Sequence, residues 1–455
     1  MKKTVPSAKI ISVRDSKNLL LIKEKRAPNM NYKQNEKIMQ VTEKTLVVGV
    51  DIAKETHYYR AFNYRGLELA RVYSFSNNHA GFESFRQWCE EIMRKNNLDK
   101  LIIGMEPTGH YWFTFAEYCR DNDMKIVLVN PFHVKRSKEL DDNSPTKTDR
   151  KDPKTIAKLV IDGRFVEIYI PTGVYAELRG VLRMYDHVNG CKSVVDNKIQ
   201  QWLDIYFPEF MEVFGSWNCK SAMITLRQFP LPSMIVELGE TKVLEEWKKE
   251  IKQGVGKKRV RKLVETAQKS IGSKEGLKMA VRELQYLISE YDVYVKQMEE
   301  IKTEMENLLE QIPAAKKALK IKGMGVVTVA GIIAEIGEFS RFEDARQIQK
   351  YAGLNLVENS SGKHKGETTI SKRGRKRLRS LLFRVIMPMV ANNPEFKELH
   401  QYYTKRKENP LKKKQSLILL CCKLIRILYA IMTKDVEYDG SKLMKDIKRA
   451  SKEAA

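Results

Sequence analysis

The feature that most constrains this chain is the run Thr45–Val50, almost wholly β-branched or aliphatic and closed by Asp51. A strand with one wet face alternates apolar and polar residues, and this one does not. It therefore reads as a strand buried on both faces, which needs helices above and below the sheet. The segments around it agree. His57–Asn63 and Leu67–Phe75, separated by Tyr64-Arg65-Gly66, read as a hairpin. Residues 78–97 carry helical spacing at Phe82, Phe85, Trp88 and Ile92. Leu98–Met105 reads as a second buried strand, Trp112–Asp121 as a helix, Met124–Val129 as a strand, and Asp152–Asp162 as a helix with Pro153 in its first turn. The order predicts an α/β domain with a mixed sheet over residues 44–171.

The remainder reads differently. Residues 172–312 are mostly helical and charged, with one helix expected over Ala176–Tyr206 and a second over Glu275–Ile312. The second carries apolar residues at Leu277, Val281, Leu284, Ile288, Tyr291, Val295, Met298, Met305, Leu308 and Ile312, a 4-3 spacing interrupted at Lys302. Such a stripe must be covered. It predicts either a coiled coil between subunits over 275–312 or packing against a helix of the same chain. Residues 313–435 form a C-terminal, mainly α unit, followed by a polar tail, 436–455. That unit opens with Ile321-Lys322-Gly323-Met324-Gly325 and a helix over Thr328–Ile336, a layout resembling a helix-hairpin-helix, so Gly323 and Gly325 are candidate phosphate-binding positions.

Charge narrows the function. With 82 Lys and Arg against 57 Asp and Glu, the chain carries a formal charge of +25, spread along its length. A chain this basic repels itself unless a polyanion neutralises it, and nucleic acid is the natural one. A soluble or ribosome-associated basic protein is the bland alternative. The first 40 residues hold ten Lys or Arg and no apolar core of a signal peptide, so 1–43 reads as a mobile basic arm. The six cysteines (Cys89, Cys119, Cys191, Cys219, Cys421 and Cys422) include no C-x-x-C pair and no zinc-finger spacing, which fits a reduced, cytosolic protein. Ser416–Met432 is the most apolar late stretch. Its length and its Lys423 and Arg426 argue against a membrane span.

Four acids form the first candidate site. Asp51 ends the first strand and Glu106 a later one, while Asp149 and Asp152 stand three apart at a helix start and so share a face. Each has an ordinary explanation as a strand stop or as an acid at the positive end of a helix. Together on this layout they predict a self-repelling cluster that a hard divalent cation, Mg²⁺ or Mn²⁺, would hold together. Two such ions about 4 Å apart can stabilise the attacking and leaving oxygens of phosphoryl transfer.

With these segments on the page, Gly49-Val50-Asp51-Ile52-Ala53-Lys54, Glu106-Pro107-Thr108-Gly109, Val129-Asn130-Pro131 and Lys147-Thr148-Asp149 with Asp152, the chain resembles the transposases of the insertion sequence 110 family. The resemblance covers roughly residues 46–429. It implies a ribonuclease H-like, RuvC-type N-terminal domain whose D-E-D-D set falls on Asp51, Glu106, Asp149 and Asp152. Two departures stand out: the basic arm of some 40 residues, and Pro153 where alanine is commoner.

A second cluster lies in the C-terminal half: Tyr351-Ala352-Gly353-Leu354, Asn359-Ser360-Ser361-Gly362 and Ile370-Ser371-Lys372-Arg373-Gly374. Six of the eight residues from Lys372 to Arg379 are basic. A Ser-Ser-Gly alone is a loop, but a serine attacking DNA needs nearby cations. In the family, the serine of a Ser-Gly dipeptide following a Gly-Leu segment is the nucleophile, which implies Ser361, with Ser360 the other register. Lys363, Lys365, Lys372, Arg373, Arg375, Arg377 and Arg379 are then expected to contact nucleic acid, or else to form a solvated basic face.

The resemblance further implies recombination of donor and target double-stranded DNA through a phosphoserine, guided by a structured RNA. It implies a homo-oligomer, dimer or tetramer, in the cytoplasm and at the nucleoid of a bacterium or archaeon, with no membrane partner. Two sites on different domains permit an active site shared between subunits. The rival readings are a RuvC-like junction endonuclease with no covalent intermediate, an ATPase of the actin and sugar-kinase type, and a non-catalytic nucleic-acid scaffold. The ATPase would need further Gly-rich phosphate loops, which the sequence lacks, and has no use for +25.

Overall fold

The structure is a computed structural model that describes residues 30–107, 109–141, 152–252, 256–357, 360–361, 364–365, 368–445 and 447. The chain divides into two compact units, residues 1–170 and 171–455.

The first unit is built on a six-stranded sheet. Its elements run α1 (Met30–Ile38), β1 (Thr45–Asp51), β2 (Thr56–Phe62), β3 (Tyr73–Ser76), α2 (His79–Lys95), β4 (Lys100–Met105), α3 (Trp112–Asp121), β5 (Ile126–Val129), α4 (Pro131–Asp141), α5 (Asp152–Ile161) and β6 (Phe165–Glu167). The strand order is β3-β2-β1-β4-β5-β6. β1, β4 and β5 are parallel, while β2, β3 and β6 join antiparallel. β1 lies at the centre, and its residues feed two cores. Leu46, Val48 and Val50 pack with Phe82, Phe85 and Phe115 on one face. Val47 packs with Ile156, Ala157 and Val160 on the other. That double burial is why the run does not alternate.

Three local readings change. The strand expected over Leu67–Phe75 is reduced to Tyr73–Ser76, with one isolated bridge between Phe62 and Glu68. The Asn63 side chain accepts from the backbone of Arg65 and Leu67 and turns the chain out of the sheet. Within the arm, residues 30–38 form a helix that is tied down: Gln34 donates to the Asp162 carbonyl at 3.0 Å and Lys37 to that of Phe165. β6 was not legible, because three residues carry no period.

The second unit is a long helical hairpin with a core at each end. α6 (Gly173–Tyr206) leads out, and four short helices follow, α7 (Phe210–Phe214), α8 (Lys220–Gln228), α9 (Pro232–Glu250) and α10 (Lys257–Gln268). α11 (Leu277–Glu310) then returns. At the tip, Trp202, Leu203, Phe207, Phe210, Trp247, Leu263, Leu284 and Ile288 share one core, and Trp202 donates its indole N–H to the Ala280 carbonyl at 2.8 Å. Of the apolar stripe, Leu284, Ile288, Met305, Leu308 and Ile312 are thus buried within the chain itself, while Leu277, Val281, Tyr291 and Met298 are only partly covered by the same cores.

At the other end, Leu178 and Leu182 of α6 and Met305 and Leu308 of α11 enter the core of the C-terminal helices. These are α12 (Pro313–Leu319), α13 (Val326–Ile336), α14 (Ala345–Tyr351), α15 (Lys376–Asn392), α16 (Pro394–Lys405) and α17 (Lys413–Lys434), with four two-residue strands, β7 (Leu356–Val357), β8 (Ser360–Ser361), β9 (His364–Lys365) and β10 (Thr369–Ile370), inserted before α15. α17 is long and apolar enough to cross a membrane, so the length argument against a span fails. Its apolar face is spent in this core instead, where Leu420, Cys421, Leu424, Ile425 and Leu428 are buried.

Candidate active site

The first site is positioned by two glycines. Val50 of β1 pairs with Met105 of β4 in a parallel register, so Asp51 and Glu106 follow one another across the ends of adjacent strands. Both are half-buried. Gly49 and Gly104 are register partners two residues earlier, under α5. A Cβ on Gly49 would lie 1.9 Å from the Pro153 carbonyl oxygen and 2.9 Å from the Ala157 nitrogen. A Cβ on Gly104 would lie 2.5 Å from Val160 Cγ2. The helix therefore rests on bare backbone at Gly49, and Asp152 is its first residue, next to Pro153. Of the predicted acids, Asp51 and Glu106 thus stand at the ends of adjacent strands, and Asp152 opens the helix that lies on Gly49.

Asp149, the fourth, lies outside the described residues, as does Thr108. Among the described residues, no three His, Cys, Asp or Glu side chains are grouped to hold a metal ion. The donors at Asp51, Glu106 and Asp152 are all carboxylate oxygens, the chemistry that a hard divalent cation requires.

Sequence reasoning missed His57. It is fully buried in β2, its ring 4.9 Å from that of Phe75 and edge-on to it. Its Nδ1 accepts the Ala53 N–H at 3.2 Å, fixing the segment just beyond Asp51. Burial pulls its pKa from 6.5 down to about 4, so the ring is neutral near pH 7. A lone histidine in an alternating strand gives no signal that its partner is the backbone four residues back.

In the second unit, the ladder Leu356–Val357 with Thr369–Ile370 encloses the ladder Ser360–Ser361 with His364–Lys365, in which Ser361 pairs with His364. Gly362 and Lys363 lie outside the described residues. The base of this hairpin explains why its motifs occur together. The Lys372 N–H donates to the Gly353 carbonyl at 3.1 Å and the Arg375 N–H to the Tyr351 carbonyl at 2.8 Å. A Cβ on Gly374 would stand 2.4 Å from the Tyr351 carbonyl oxygen. Tyr351-Ala352-Gly353 and Lys372–Arg375 therefore close on each other and anchor the segment bearing Ser361.

The basic run separates into two sets. Arg375 donates to the Tyr351 hydroxyl, and Arg379 to the Ala352 carbonyl. Arg377 is drawn inward, donating to Asp186 and to the Leu182 carbonyl, both at 2.6 Å, and lying 3.7 Å from buried Glu335. These arginines hold the hairpin base and α15 in place. Lys372 and Arg373 are exposed. Gly323, at φ 99°, lies against Met389 and serves packing, whereas Gly325 caps α13 with open space before it.

A mixed sheet with carboxylates at two adjacent strand ends, in a chain of charge +25, fits a protein that acts on nucleic acid, and the comparisons name the class. Residues 48–208 match a family of DEDD transposases, and residues 315–401 match the Transposase IS116/IS110/IS902 family. The chain is 24% identical over 397 residues to the pilin gene-inverting protein of Moraxella bovis, covering 86% of this chain and 97% of that one. It is 24% identical over 303 residues to the insertion element IS116 44.8 kDa protein of Streptomyces clavuligerus, covering 63% and 71%. It is 33% identical over 102 residues to the transposase for insertion sequence element IS1328 of Yersinia enterocolitica, covering 22% and 30%. This is a transposase, an enzyme that acts on DNA. It belongs to the IS110 family.

Proposed function

We propose that this transposase recombines two DNA duplexes through a metal-dependent acid site and a serine nucleophile, guided by a structured RNA. The observation that carries the reading is the pairing of β1 with β4, which sets Asp51 and Glu106 at adjacent strand ends while Gly49 admits the start of α5. The sheet order, with β1 between β2 and β4, supports a ribonuclease H-like domain. Asp51, Glu106, Asp149 and Asp152 hold Mg²⁺ or Mn²⁺, which when bound supplies charge stabilisation to the phosphate undergoing transfer.

Ser361 attacks the scissile phosphodiester: an Oγ–P bond forms, and one deoxyribose hydroxyl leaves. A hydroxyl from the other duplex then displaces the serine and restores the phosphodiester. Lys372 and Arg373 bind the DNA backbone beside that reaction. The Moraxella bovis relative is named for inverting a gene, which is a recombination, and this favours rejoining over cutting alone. Handling two duplexes at once calls for more than one copy, a dimer or tetramer, in the cytoplasm.

The test is a denaturing gel of labelled DNA incubated with protein, Mg²⁺ and the RNA encoded beside the gene. The parent protein and Ser360→Ala give a covalent protein–DNA species, and Ser361→Ala gives none. Efficient cutting by the parent without any covalent species would replace this reading with a RuvC-like junction endonuclease.

A further inference from the structure

The helix α10 carries a cation surface that neither candidate site uses. Its buried face is Val260, Leu263, Val264 and Ala267, packed into the hairpin-tip core. Its other face exposes Lys257, Lys258, Arg259, Arg261 and Lys262, the last donating to the Glu212 carbonyl, against the single exposed acid Glu265. Arg261 stands 3.7 Å from Glu240. Among the described residues, no acid lies within ion-pair distance of Lys257, Lys258 or Arg259. The first turn of α10 contains no acid. Arg259 also lines a cleft of about 200 Å³, with Lys220, Trp247 and Ile251.

This arrangement is electrostatically unfavourable in the protein alone. The N-terminal turn of a helix carries partial positive charge and favours acids, yet three cations stand there in succession. A merely solvated face interleaves both signs, which costs nothing. An unpaired run of this kind on a helix start is stabilised by a polyanion. The surface is one exposed helix face with no aromatic ring on α10 to stack unpaired bases, so it fits the backbone of a duplex rather than a single strand. DNA is the duplex that a transposase handles. The two family matches end at 208 and resume at 315, so the tip lies between them.

We propose that the tip of the hairpin is a second, sequence-independent DNA-docking surface, in which Lys257, Lys258, Arg259 and Arg261 contact phosphates of duplex DNA. It rests on the transposase's DNA substrate and not on the acid or serine chemistry, so its test reads binding alone. Fluorescence anisotropy of a labelled 30-base-pair duplex is measured with the full chain across a salt series. Each phosphate neutralised adds roughly 0.9 to the slope of log affinity against log salt. K257Q/K258Q/R259Q/R261Q should lower that slope by about 3 and weaken binding at least about tenfold near 0.1 M salt. The control K274Q/K278Q/K296Q/K302Q removes equal charge from exposed positions of the same hairpin and should leave the slope within about 1 of the parent. In the unsubstituted protein, DNA should also protect Lys257 and Lys258 from amine labelling, and leave Lys274 and Lys278 reactive. Equal losses in both variants would reduce the effect to net charge and overturn the proposal. So would unprotected Lys257 and Lys258, or a loss confined to a duplex RNA of the same length.

Discussion

Gly49 and the carbonyl of Pro153 are in backbone contact: a Cβ on the glycine would lie 1.9 Å from that oxygen. The helix that begins at Asp152 can approach β1 only because position 49 has no side chain. Gly49→Ala must push α5 away from the sheet, and overpacking of this kind costs roughly 1–3 kcal/mol. Gly104→Ala meets the tip of Val160 instead, at 2.5 Å, and a side chain yields more readily than backbone. The expected order of thermal midpoints is parent, Gly104→Ala, Gly49→Ala. Recombination should fall further in Gly49→Ala than its stability alone explains, because Asp152 moves with the helix. Equal midpoints for the two variants would remove the backbone contact as the cause.

His57 makes the fold sensitive to acid. Its pKa is about 4 in the folded protein and near 6.5 in an unfolded chain. Above pH 6.5 both states hold it neutral, and it adds no pH dependence. As pH falls from 6.5 towards 4, only the unfolded state takes up the proton, so stability drops across that window and levels off below it. His57→Gln retains an acceptor for the Ala53 N–H but does not titrate there. Urea midpoints measured between pH 7 and 4 should fall less in His57→Gln than in the parent; parallel curves would show that other groups set the acid limb.

Much of this fold was legible in the sequence, and the reasons are local. Trp112–Asp121 appears with the predicted bounds, and the long helices differ from expectation by three residues or fewer at either end. Long periodic runs constrain themselves. β3 was overextended, because an Asn63 turn and an Arg60–Glu68 ion pair imitate strand continuation without a ladder. For the site, strand-terminal Asp51 and Glu106 could be read, since buried strands end where charge begins. The partners of His57 and Arg377 could not, because they depend on which backbone or distant helix arrives beside them.

Arg377 illustrates the difference between a basic run and a binding surface. Its guanidinium holds Asp186 and the Leu182 carbonyl and lies beside Glu335, which is 5% exposed. Removing it strands a buried carboxylate, a change that costs about 3 kcal/mol or more. Arg377→Ala should therefore lower the denaturation midpoint strongly. Exposed Lys372→Ala should leave the midpoint unchanged and weaken DNA binding. Swapped outcomes would return Arg377 to the set of DNA contacts.

The stripe on α11 gives a test of assembly. Leu284 and Ile288 are buried in the hairpin-tip core of their own chain. Leu284→Ala should cost about 2–5 kcal/mol through the cavity it leaves. Sedimentation of the folded variant should show the parent's mass, since no subunit contact has been touched. A lower mass with unchanged stability would instead place these residues between subunits.

The acids separate a metal site from a structural one. If Asp51, Glu106 and Asp152 come together in the proposed metal site, their carboxylates repel one another without the cation, so neutralising one removes a cost rather than a support. Asp51→Asn and Glu106→Gln should fold with midpoints equal to or above the parent's in the absence of divalent metal, and should lose recombination. A cation that binds only the folded state raises the parent's midpoint by mass action, by about 2.7 kcal/mol at a hundredfold excess over its dissociation constant. Thermal unfolding across a Mg²⁺ or Mn²⁺ titration should show that rise in the parent and a smaller one in each variant. The measurement needs no DNA and no RNA, so it does not depend on the serine chemistry. Variants that unfold without metal would make these acids structural, and an undiminished rise in both would place the cation elsewhere in the chain.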